Sequence, residues 1–335
     1  MTTATAWRRG LAPWSLEPTA IDPPTPGPGR VRLMVEAVAV DGFDATPIGR
    51  VPGVAAVGTV TAVGAAADEW LGLRVLVPTV SACGECPRCR SGGPAVCIDG
   101  ARLGTTGPGA LVTHLTASAR WLVRLDGALA LPGPTTAAIG GDLAMAYGLY
   151  ARAGVGPRDP VLVLGAGPRA RFAALVLAAK GCRPVVATDD AATIAAVTDV
   201  AAVCAIHTAA IEAALATSDR TRPRRVVVTA PTLVEAALRV AGPRATVVVA
   251  ADAMTAAAPP LETALAEEVT VVGVAGCHPD LVPELAALVA RGDLALADAT
   301  EVVAVADLAA ALTRRAQTRP ATALVAELEL PTGRA

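Results

Sequence analysis

Four cysteines lie close together in a loop that is rich in glycine and proline. They are Cys83, Cys86, Cys89 and Cys97, with the spacing C-x2-C-x2-C-x7-C. Four thiolates at this spacing can complete a tetrahedral zinc shell, which leaves no coordination position for water or substrate. Bacterial iron–sulfur clusters also use four cysteines, but their spacing is different. The spacing therefore predicts one structural zinc, and a lobe that has kept its cysteines but lost the metal is the alternative.

A second pattern, near the middle of the chain, has the composition of a phosphate-binding turn. Val161–Leu164 is a short apolar run that is typical of a buried parallel strand, and Gly-Ala-Gly-Pro-Arg-Ala follows it directly. Gly165 permits a tight turn, Gly167 lets a pyrophosphate approach the backbone, and Ala170 lets the next helix pack closely. The start of that helix offers free N–H groups to phosphates. The pattern predicts a dinucleotide site, with a purely structural glycine turn as the alternative.

An acidic residue after the next predicted strand favours one cofactor. Pro184–Thr188 is a second apolar strand, and Asp189 follows it, close to the ~20 residues expected between the glycine turn and the acid that binds a ribose 2′-OH. A carboxylate there repels a 2′-phosphate, and Asp190 adds to the repulsion. The expected cofactor is therefore NAD(H) rather than NADP(H). The residues of these motifs expected at the cofactor are Gly165, Gly167, Pro168, Ala170 and Asp189.

The composition is that of a two-domain globular protein. At 335 residues the chain exceeds the size at which a single core usually stops growing. A net charge of −2 without a basic stripe argues against nucleic-acid binding. No uncharged apolar run reaches the ~18–20 residues of a membrane span, and we expect no signal peptide. Seven cysteines in such a chain indicate metal binding in a reducing cytoplasm rather than disulfides.

The first half of the chain is predicted to form a small β-barrel, because short valine-rich segments alternate with glycine and proline. The predicted strand regions are Arg30–Val40, Val51–Gly64, Leu73–Val77 and Ala110–Leu125. Residues 1–29 are rich in proline and are expected to be an irregular or edge segment.

The barrel, the cysteine lobe, the glycine turn and the acid one strand later together resemble the zinc-type alcohol and polyol dehydrogenases of the medium-chain dehydrogenase/reductase superfamily. The resemblance extends from about Arg30 to Leu330. It implies an α/β fold in which a GroES-like β-barrel catalytic domain, residues 1–145 and 291–335, receives an inserted Rossmann domain with a doubly wound parallel sheet, residues 146–290. It also implies a homodimer or homotetramer, a small-molecule substrate, and cofactor contacts near Ala230 and Val274.

Members of this family usually bind a second, catalytic zinc, and the matching positions here have lost its ligands. They are Asp41, Val54 and Asp142. Phe43 stands where the family has the hydroxyl of a proton relay. Zinc prefers imidazole or thiolate ligands, and a valine can donate nothing. We therefore expect no catalytic zinc.

Three side chains are candidates for acid–base chemistry without that metal. By the same alignment, Asp41 and Asp142 face the nicotinamide pocket, and two adjacent carboxylates raise the pKa of one of them. His278 follows the last predicted strand of the Rossmann sheet, at the edge where ligands bind. The alternatives are that the two aspartates are relics and that His278 is a helix cap or a surface residue.

The resulting functional hypothesis is an NAD(H)-dependent oxidoreductase that acts on an alcohol or a C=O, C=C or C=N bond of a small molecule. A second hypothesis keeps the enzyme but uses bound NAD for a non-redox step, such as elimination or epimerisation. A third is a catalytically inactive dinucleotide-binding module.

Overall fold

The computed structural model describes residues 3–206, 222–250 and 262–329. The chain divides into two compact units. Within the described residues, the first unit comprises 3–141, 278–318 and 323–329, and the second comprises 142–206, 222–250, 262–277 and 319–322. The sequence-based division instead placed boundaries after residues 145 and 290.

The first unit is built on a seven-stranded sheet in the order β16-β17-β3-β4-β5-β9. The seventh strand, β8, also pairs with β3, at residues 30–34. All pairs are antiparallel except β16 with β17. The strands of this unit, numbered along the chain, are β1 (Ala4–Arg9), β2 (Leu16–Ile21), β3 (Arg30–Ala39), β4 (Ala55–Val63), β5 (Arg74–Val77), β6 (Val80–Ser81), β7 (Ala101–Arg102), β8 (His114–Ser118), β9 (Val123–Arg124), β16 (Thr300–Ala304) and β17 (Ala323–Glu327).

Strand β3 organises this sheet because its apolar residues alternate. Val31, Leu33 and Val35 are buried on one face, and the residues between them are partly exposed. The register of β3 against β4 shifts after Val35, where Gly58 faces it. A Cβ on Gly58 would lie 2.2 Å from the carbonyl oxygen of Met34, so only glycine allows this close approach.

Strands β1 and β2 form an antiparallel hairpin from Ala4 to Ile21. The hairpin is attached to the sheet domain through the backbone N–H of Trp7, which donates to the carbonyl of Leu111 at 3.0 Å. Residues 4–21 therefore form a separate two-stranded hairpin, where the sequence predicted an irregular or edge segment.

The second unit contains a six-stranded parallel sheet in the order β12-β11-β10-β13-β14-β15. The chain moves outward from β10 to β12, then returns to β13 on the other side of β10, so the strand order reverses between β10 and β13. The strands are β10 (Pro160–Leu164), β11 (Arg183–Ala187), β12 (Ala202–Cys204), β13 (Arg225–Val228), β14 (Thr246–Ala250) and β15 (Thr270–Val274). Strand β10 is central, and its residues 161–164 are fully buried, as the continuous apolar run predicted.

The α-helices of the described residues complete the two units. They are α1 (Pro87–Arg90), α2 (Gly133–Ala138), α3 (Ala144–Ala153), α4 (Gly167–Ala179), α5 (Ala191–Val197), α6 (Val234–Val240), α7 (Glu262–Ala266), α8 (Val282–Ala290) and α9 (Leu308–Thr318). One π-turn, Ile139–Leu143, separates α2 from α3 and is kinked at Gly141. Within the described residues, none of these helices is long and apolar enough to cross a bilayer.

Helix α8 belongs to the first unit, although the sequence-based division assigned it to the Rossmann domain. It packs against the short segment Gly127–Leu129 and buries Leu285 and Leu288. His278 caps the 3-10 turn Pro279–Leu281 that precedes α8.

Candidate functional site

The four lobe cysteines come together, and their sulfur positions fit a tetrahedral ion. The Sγ–Sγ distances are 3.5 Å from Cys97 to Cys83, 3.8 Å from Cys86 to Cys97 and 4.0 Å from Cys83 to Cys89. A Zn–S distance of ~2.3 Å in a regular tetrahedron requires sulfurs about 3.8 Å apart. Within the part of the chain that the structure describes, this is the only group of three or more His, Cys, Asp or Glu residues whose ligand atoms converge.

Backbone amides of the lobe favour the thiolate form of two of these cysteines. Hydrogen bonds from the amides of Glu85 and Cys86 lower the pKa of Cys83. Amide hydrogen bonds also lower the pKa of Cys86 to about 6, whereas burial raises the pKa of Cys89 to about 12. Four clustered thiolates repel each other without a counter-charge, and a divalent cation at their centre supplies that charge.

An arginine lies directly against this lobe. A Cβ on Gly84 would lie only 2.3 Å from the Cζ atom of Arg120, so the guanidinium of Arg120 lies directly against Gly84. The same Cζ atom lies 5.2 Å from the centre of the Trp121 ring. The indole N–H of Trp121 donates to the carbonyl of Ala82. A cavity of about 690 Å³ opens beside these residues.

The glycine-rich turn after β10 has backbone geometry that requires glycine. Gly165 has φ of 149°, and a Cβ there would lie 1.8 Å from the Oγ1 of Thr229, which follows β13. Gly167 has φ of 73°, and the space where its Cβ would be is open. Ala170, in the first turn of α4, is fully buried. The turn thus ends β10 at the point where the strand order reverses, which is where open α/β sheets bind their ligands.

Asp190 has a different surrounding from the one the sequence indicated. Its Oδ2 accepts hydrogen bonds from the backbone N–H of Thr193 at 2.8 Å and from the Thr193 hydroxyl at 2.6 Å, so it caps α5. The same hydroxyl oxygen accepts the N–H of Gly167 at 2.8 Å. Thr193 therefore links the phosphate-binding turn to the start of the next helix.

Asp189 is exposed at the carboxyl end of β11, and its Oδ1 accepts the backbone N–H of Ile206 at 3.3 Å. The carboxylate of Asp189 thus lies at the carboxyl-terminal edge of the sheet, in contact with the backbone of Ile206. Ala230 is half-buried just after β13, and Val274 is the buried last residue of β15. Pro168 is at the start of α4. All of these predicted cofactor residues follow or end parallel strands at one edge of the sheet.

Apolar packing surrounds Val54, where the resemblance implies a metal ligand, and Phe43, where it implies the relay hydroxyl. Val54 is buried in a cluster with Ala39 and Ala55. Phe43 is buried and stacks on Trp14, with ring centres 6.0 Å apart. Neither position offers a donor atom to a metal.

Asp41 and Asp142 are placed differently. The carboxylate of Asp41 lies against the backbone of Gly141, where a Cβ would be 2.1 Å from its Oδ2. Asp142 is buried, and its Oδ1 accepts hydrogen bonds from Arg169 Nε at 3.0 Å and from Arg169 Nη2 at 2.8 Å. Arg169 Nη1 also donates to the carbonyl of Thr229 at 3.4 Å. Asp142 therefore has a cationic partner inside the second unit.

His278 acts as a helix cap. Its Nδ1 accepts the backbone N–H of Asp280 at 3.2 Å, and the carboxylate of Asp280 lies 3.7 Å from the same nitrogen. Because Nδ1 accepts a hydrogen bond, the neutral imidazole carries its proton on Nε2. The helix cap was the alternative to a catalytic role in the sequence analysis, and the catalytic role of His278 stays a prediction.

Two side chains at the turn were missed by the sequence analysis. Thr193 carries no motif, and its role depends on where α5 begins. Arg169 could have been noticed, because a cation in the first turn of a helix opposes the helix dipole and needs a compensating acid.

Lys180, the sole lysine of the chain, caps the far end of α4. Its Nζ lies 5.3 Å from the ring centre of Tyr147 and 5.7 Å from that of Tyr150. The two rings are 5.6 Å apart. The chain's two tyrosines thus pack with each other and with this cation.

Comparison with known proteins agrees with this architecture. Residues 27–127 match the alcohol dehydrogenase GroES-like domain. L-galactonate-5-dehydrogenase from Escherichia coli K12 is 29% identical over 174 residues, which are 49% of this chain and 50% of that protein. L-threonine 3-dehydrogenase from Mesorhizobium japonicum is 32% identical over 184 residues, which are 50% of this chain and 51% of that protein. The chain thus spans about half the length of the curated relatives it matches.

Solved structures resemble the chain over nearly its whole length. An alcohol dehydrogenase from Thermus sp. ATN1 has a TM-score of 0.85 at 20% identity and covers 97% of this chain and 100% of its own. A protein from E. coli CFT073, described as a short chain alcohol dehydrogenase complexed with NADH, has a TM-score of 0.85 at 19% identity and covers 98% and 100%. These matches confirm the predicted α/β fold class, a GroES-like domain with a Rossmann parallel sheet.

Proposed function

We propose that the chain is an NAD(H)-dependent oxidoreductase of the zinc-type dehydrogenases in the medium-chain dehydrogenase/reductase superfamily, and that it works without a catalytic zinc. The observation that carries the proposal is the intact phosphate-binding turn at the strand-order reversal, combined with Val54 and an ion-paired Asp142 at the metal-ligand positions. The nucleotide site is kept, whereas the donors for a second metal are replaced.

The cofactor residues follow from the second unit alone. The backbone N–H groups of Arg169 and Ala170 in the first turn of α4, beside the open space at Gly167, would hold the diphosphate. Asp189 would accept a ribose hydroxyl and disfavour a 2′-phosphate. Ala170 allows α4 to pack on the sheet, and Ala230 and Val274 would line the nicotinamide side at the strand ends. When bound, NAD(H) supplies hydride transfer to or from carbon.

The substrate class is a small molecule with an alcohol or carbonyl group, because the matched relatives are dehydrogenases of galactonate and threonine. Asp41 is the group we assign to hold the proton of the reacting hydroxyl, on a carboxylate oxygen beside Gly141. His278 could pass a proton at Nε2, since its Nδ1 is engaged by the backbone. We further propose a cytoplasmic homodimer or homotetramer with one structural zinc in the cysteine lobe.

Metal analysis combined with nucleotide titration tests this function. We expect about one zinc per chain and at least about tenfold tighter binding of NADH than of NADPH, because a ribose carboxylate disfavours the phosphate. Asp189→Ser should reduce the preference for NADH over NADPH. Asp199→Asn is the matched control, since Asp199 is exposed but precedes β12 at the opposite edge of the sheet.

Oxidation of bound NADH in the presence of a panel of short aldehydes and ketones tests the redox step. Consumption of one NADH per alcohol formed is the expected result. Turnover that returns the nucleotide unchanged would favour a non-redox use of NAD. Two zincs per chain, or no binding of either nucleotide, would contradict the proposal.

A further inference from the structure

The Arg169–Asp142 pair stands at the ligand edge of the parallel sheet. Arg169 is the third residue of α4, within the glycine-rich turn itself, and its guanidinium reaches both Asp142 and the carbonyl of Thr229. Thr229 directly follows β13, and the turn directly follows β10. The strand order reverses between these two strands, so the guanidinium lies at the reversal point where a bound ligand is expected.

Stability alone gives little reason for this pair. A cation in the first turn of a helix opposes the helix dipole. The side chains of Arg169 and Asp142 are only 21% and 11% exposed, and a buried ion pair adds little net stability compared with apolar packing. An apolar residue at each position would satisfy the fold without either penalty.

The guanidinium also binds a carboxylate that the resemblance implies as a metal ligand. The Oδ1 of Asp142 accepts two N–H groups from Arg169. Val54, another of the implied ligand positions, supplies no donor. An organic cation therefore already balances the charge of Asp142 within the second unit.

We infer that Arg169 takes over the electrophilic role of the missing metal, as a catalytic residue that donates hydrogen bonds to the reacting oxygen of the substrate. Asp142 is then a positioning residue, because its carboxylate holds the Nε edge of the Arg169 guanidinium. The Nη1 edge faces the Thr229 carbonyl at the end of β13, at 3.4 Å, and guanidinium N–H groups bind a negatively charged oxygen more strongly than a neutral carbonyl. This inference rests on the proposed function and names a residue for it.

The chemistry balances in the reductive direction. The carbonyl carbon accepts a hydride lost by a reduced nicotinamide, which becomes oxidised. The π-electron pair of the C=O bond moves to the oxygen, where the guanidinium hydrogen bonds stabilise the charge. The oxygen then takes a proton from a general acid or from water to give the alcohol, and the oxidative direction is the reverse.

Comparison of NAD⁺ with NADH binding tests the inference without a substrate, because only NAD⁺ carries a positive nicotinamide ring. Arg169→Leu removes a cation and leaves Asp142, so the ratio of the NAD⁺ Kd to the NADH Kd should fall about tenfold, as expected for one unit charge several ångströms away. Asp142→Asn should raise the ratio by a similar factor. Arg169→Lys should restore the ratio but not the rate, since an ammonium lacks the planar fork.

The control is Arg239→Gln, which breaks an exposed arginine–glutamate pair on α6 and should leave the ratio unchanged. In the aldehyde panel, Arg169→Leu should lower the rate of NADH oxidation about 100-fold, the size of a lost oxyanion donor. If Arg169→Leu does not fold, Arg169→Gln and Asp142→Asn give the same test with opposite signs.

Two outcomes separate this inference from the proposed function. If the wild-type protein binds both nucleotides and Arg169→Leu weakens them in parallel or not at all, Arg169 is not beside the nicotinamide and the inference is overturned while the function stands. If the wild-type protein binds neither nucleotide, the proposed function fails and the inference fails with it.

Discussion

The cysteine lobe and the positions of Val54 and Asp142 differ in what surrounds them. In the lobe, three sulfur–sulfur distances are 3.5–4.0 Å, and backbone amides donate to the sulfurs. Val54 instead joins an apolar cluster, and Asp142 is bound by Arg169. The comparison teaches that donor atoms converge in one region, whereas apolar packing and an arginine partner occupy the other, so the two regions should respond oppositely to chelators and substitutions.

The largest expected effect is loss of the lobe metal. Cys97→Ser, or removal of metal by a strong chelator, should lower the free energy of unfolding by more than about 3 kcal/mol, because structural zinc contributes folding free energy directly. Denaturant unfolding together with metal analysis measures both. Cys204→Ser is the control, since burial raises the pKa of the Cys204 thiol and keeps it protonated outside the lobe. Full stability without zinc would remove the contrast between the two regions.

The next effect concerns the ion pair. Asp142→Leu should lower the free energy of unfolding by about 3 kcal/mol, because it removes the carboxylate that binds the partly buried Arg169 guanidinium. The double variant Asp142→Leu with Arg169→Leu should recover most of that loss. A chelator should lower the stability of every variant through the lobe and leave the differences between variants unchanged. Additive losses in the double variant would show that the two side chains do not act as a pair. Thermal or denaturant unfolding of the wild type, Asp142→Leu, Arg169→Leu and the double variant completes the cycle.

A donor placed at position 54 should not restore a metal. Val54→His buries a polar ring in an apolar cluster and should lower stability by about 2 kcal/mol, with zinc content unchanged at about one per chain. Val54→Ala, which only removes methyl groups, should lower it by about 1–2 kcal/mol. A gain of one zinc in Val54→His would mean that the altered positions still form a metal site.

The smallest effect lies beside the lobe. Arg120→Ala removes the guanidinium from Trp121 and from Gly84, and should lower stability by about 0.5–1 kcal/mol. Because a cation next to the thiolates is lost, zinc should also pass to a competing chelator faster. Arg124→Ala removes an exposed arginine paired with Asp126 and is the matched control. Equal rates of zinc loss in Arg120→Ala and Arg124→Ala would show that Arg120 does not influence the metal site.

The features that the sequence predicted well are those encoded locally. The spacing of the lobe cysteines and the sequence of the phosphate-binding turn each lie within one short segment, so their geometry follows from few torsions. The central strands were predictable because continuous apolar runs such as Val161–Leu164 require burial on both faces.

The features that were missed depend on tertiary contacts. Asp142 and Arg169 are 27 positions apart, and nothing in their local sequence pairs them. Asp190 was read as part of the cofactor selection, but the start of α5 makes it a helix cap through Thr193. Helix α8 follows a Rossmann strand in the chain yet packs in the first unit, because its apolar face is complementary to that unit.

The single lysine at the end of α4 has a practical consequence for studying assembly. A bifunctional amine reagent that joins two lysine side chains cannot do so within one chain, because Lys180 has no second lysine to reach. Any peptide in which two Lys180 side chains are bridged must therefore come from two copies. Mass spectrometry of such a bridged peptide would report directly on self-association, without the background of intramolecular links that complicates most proteins.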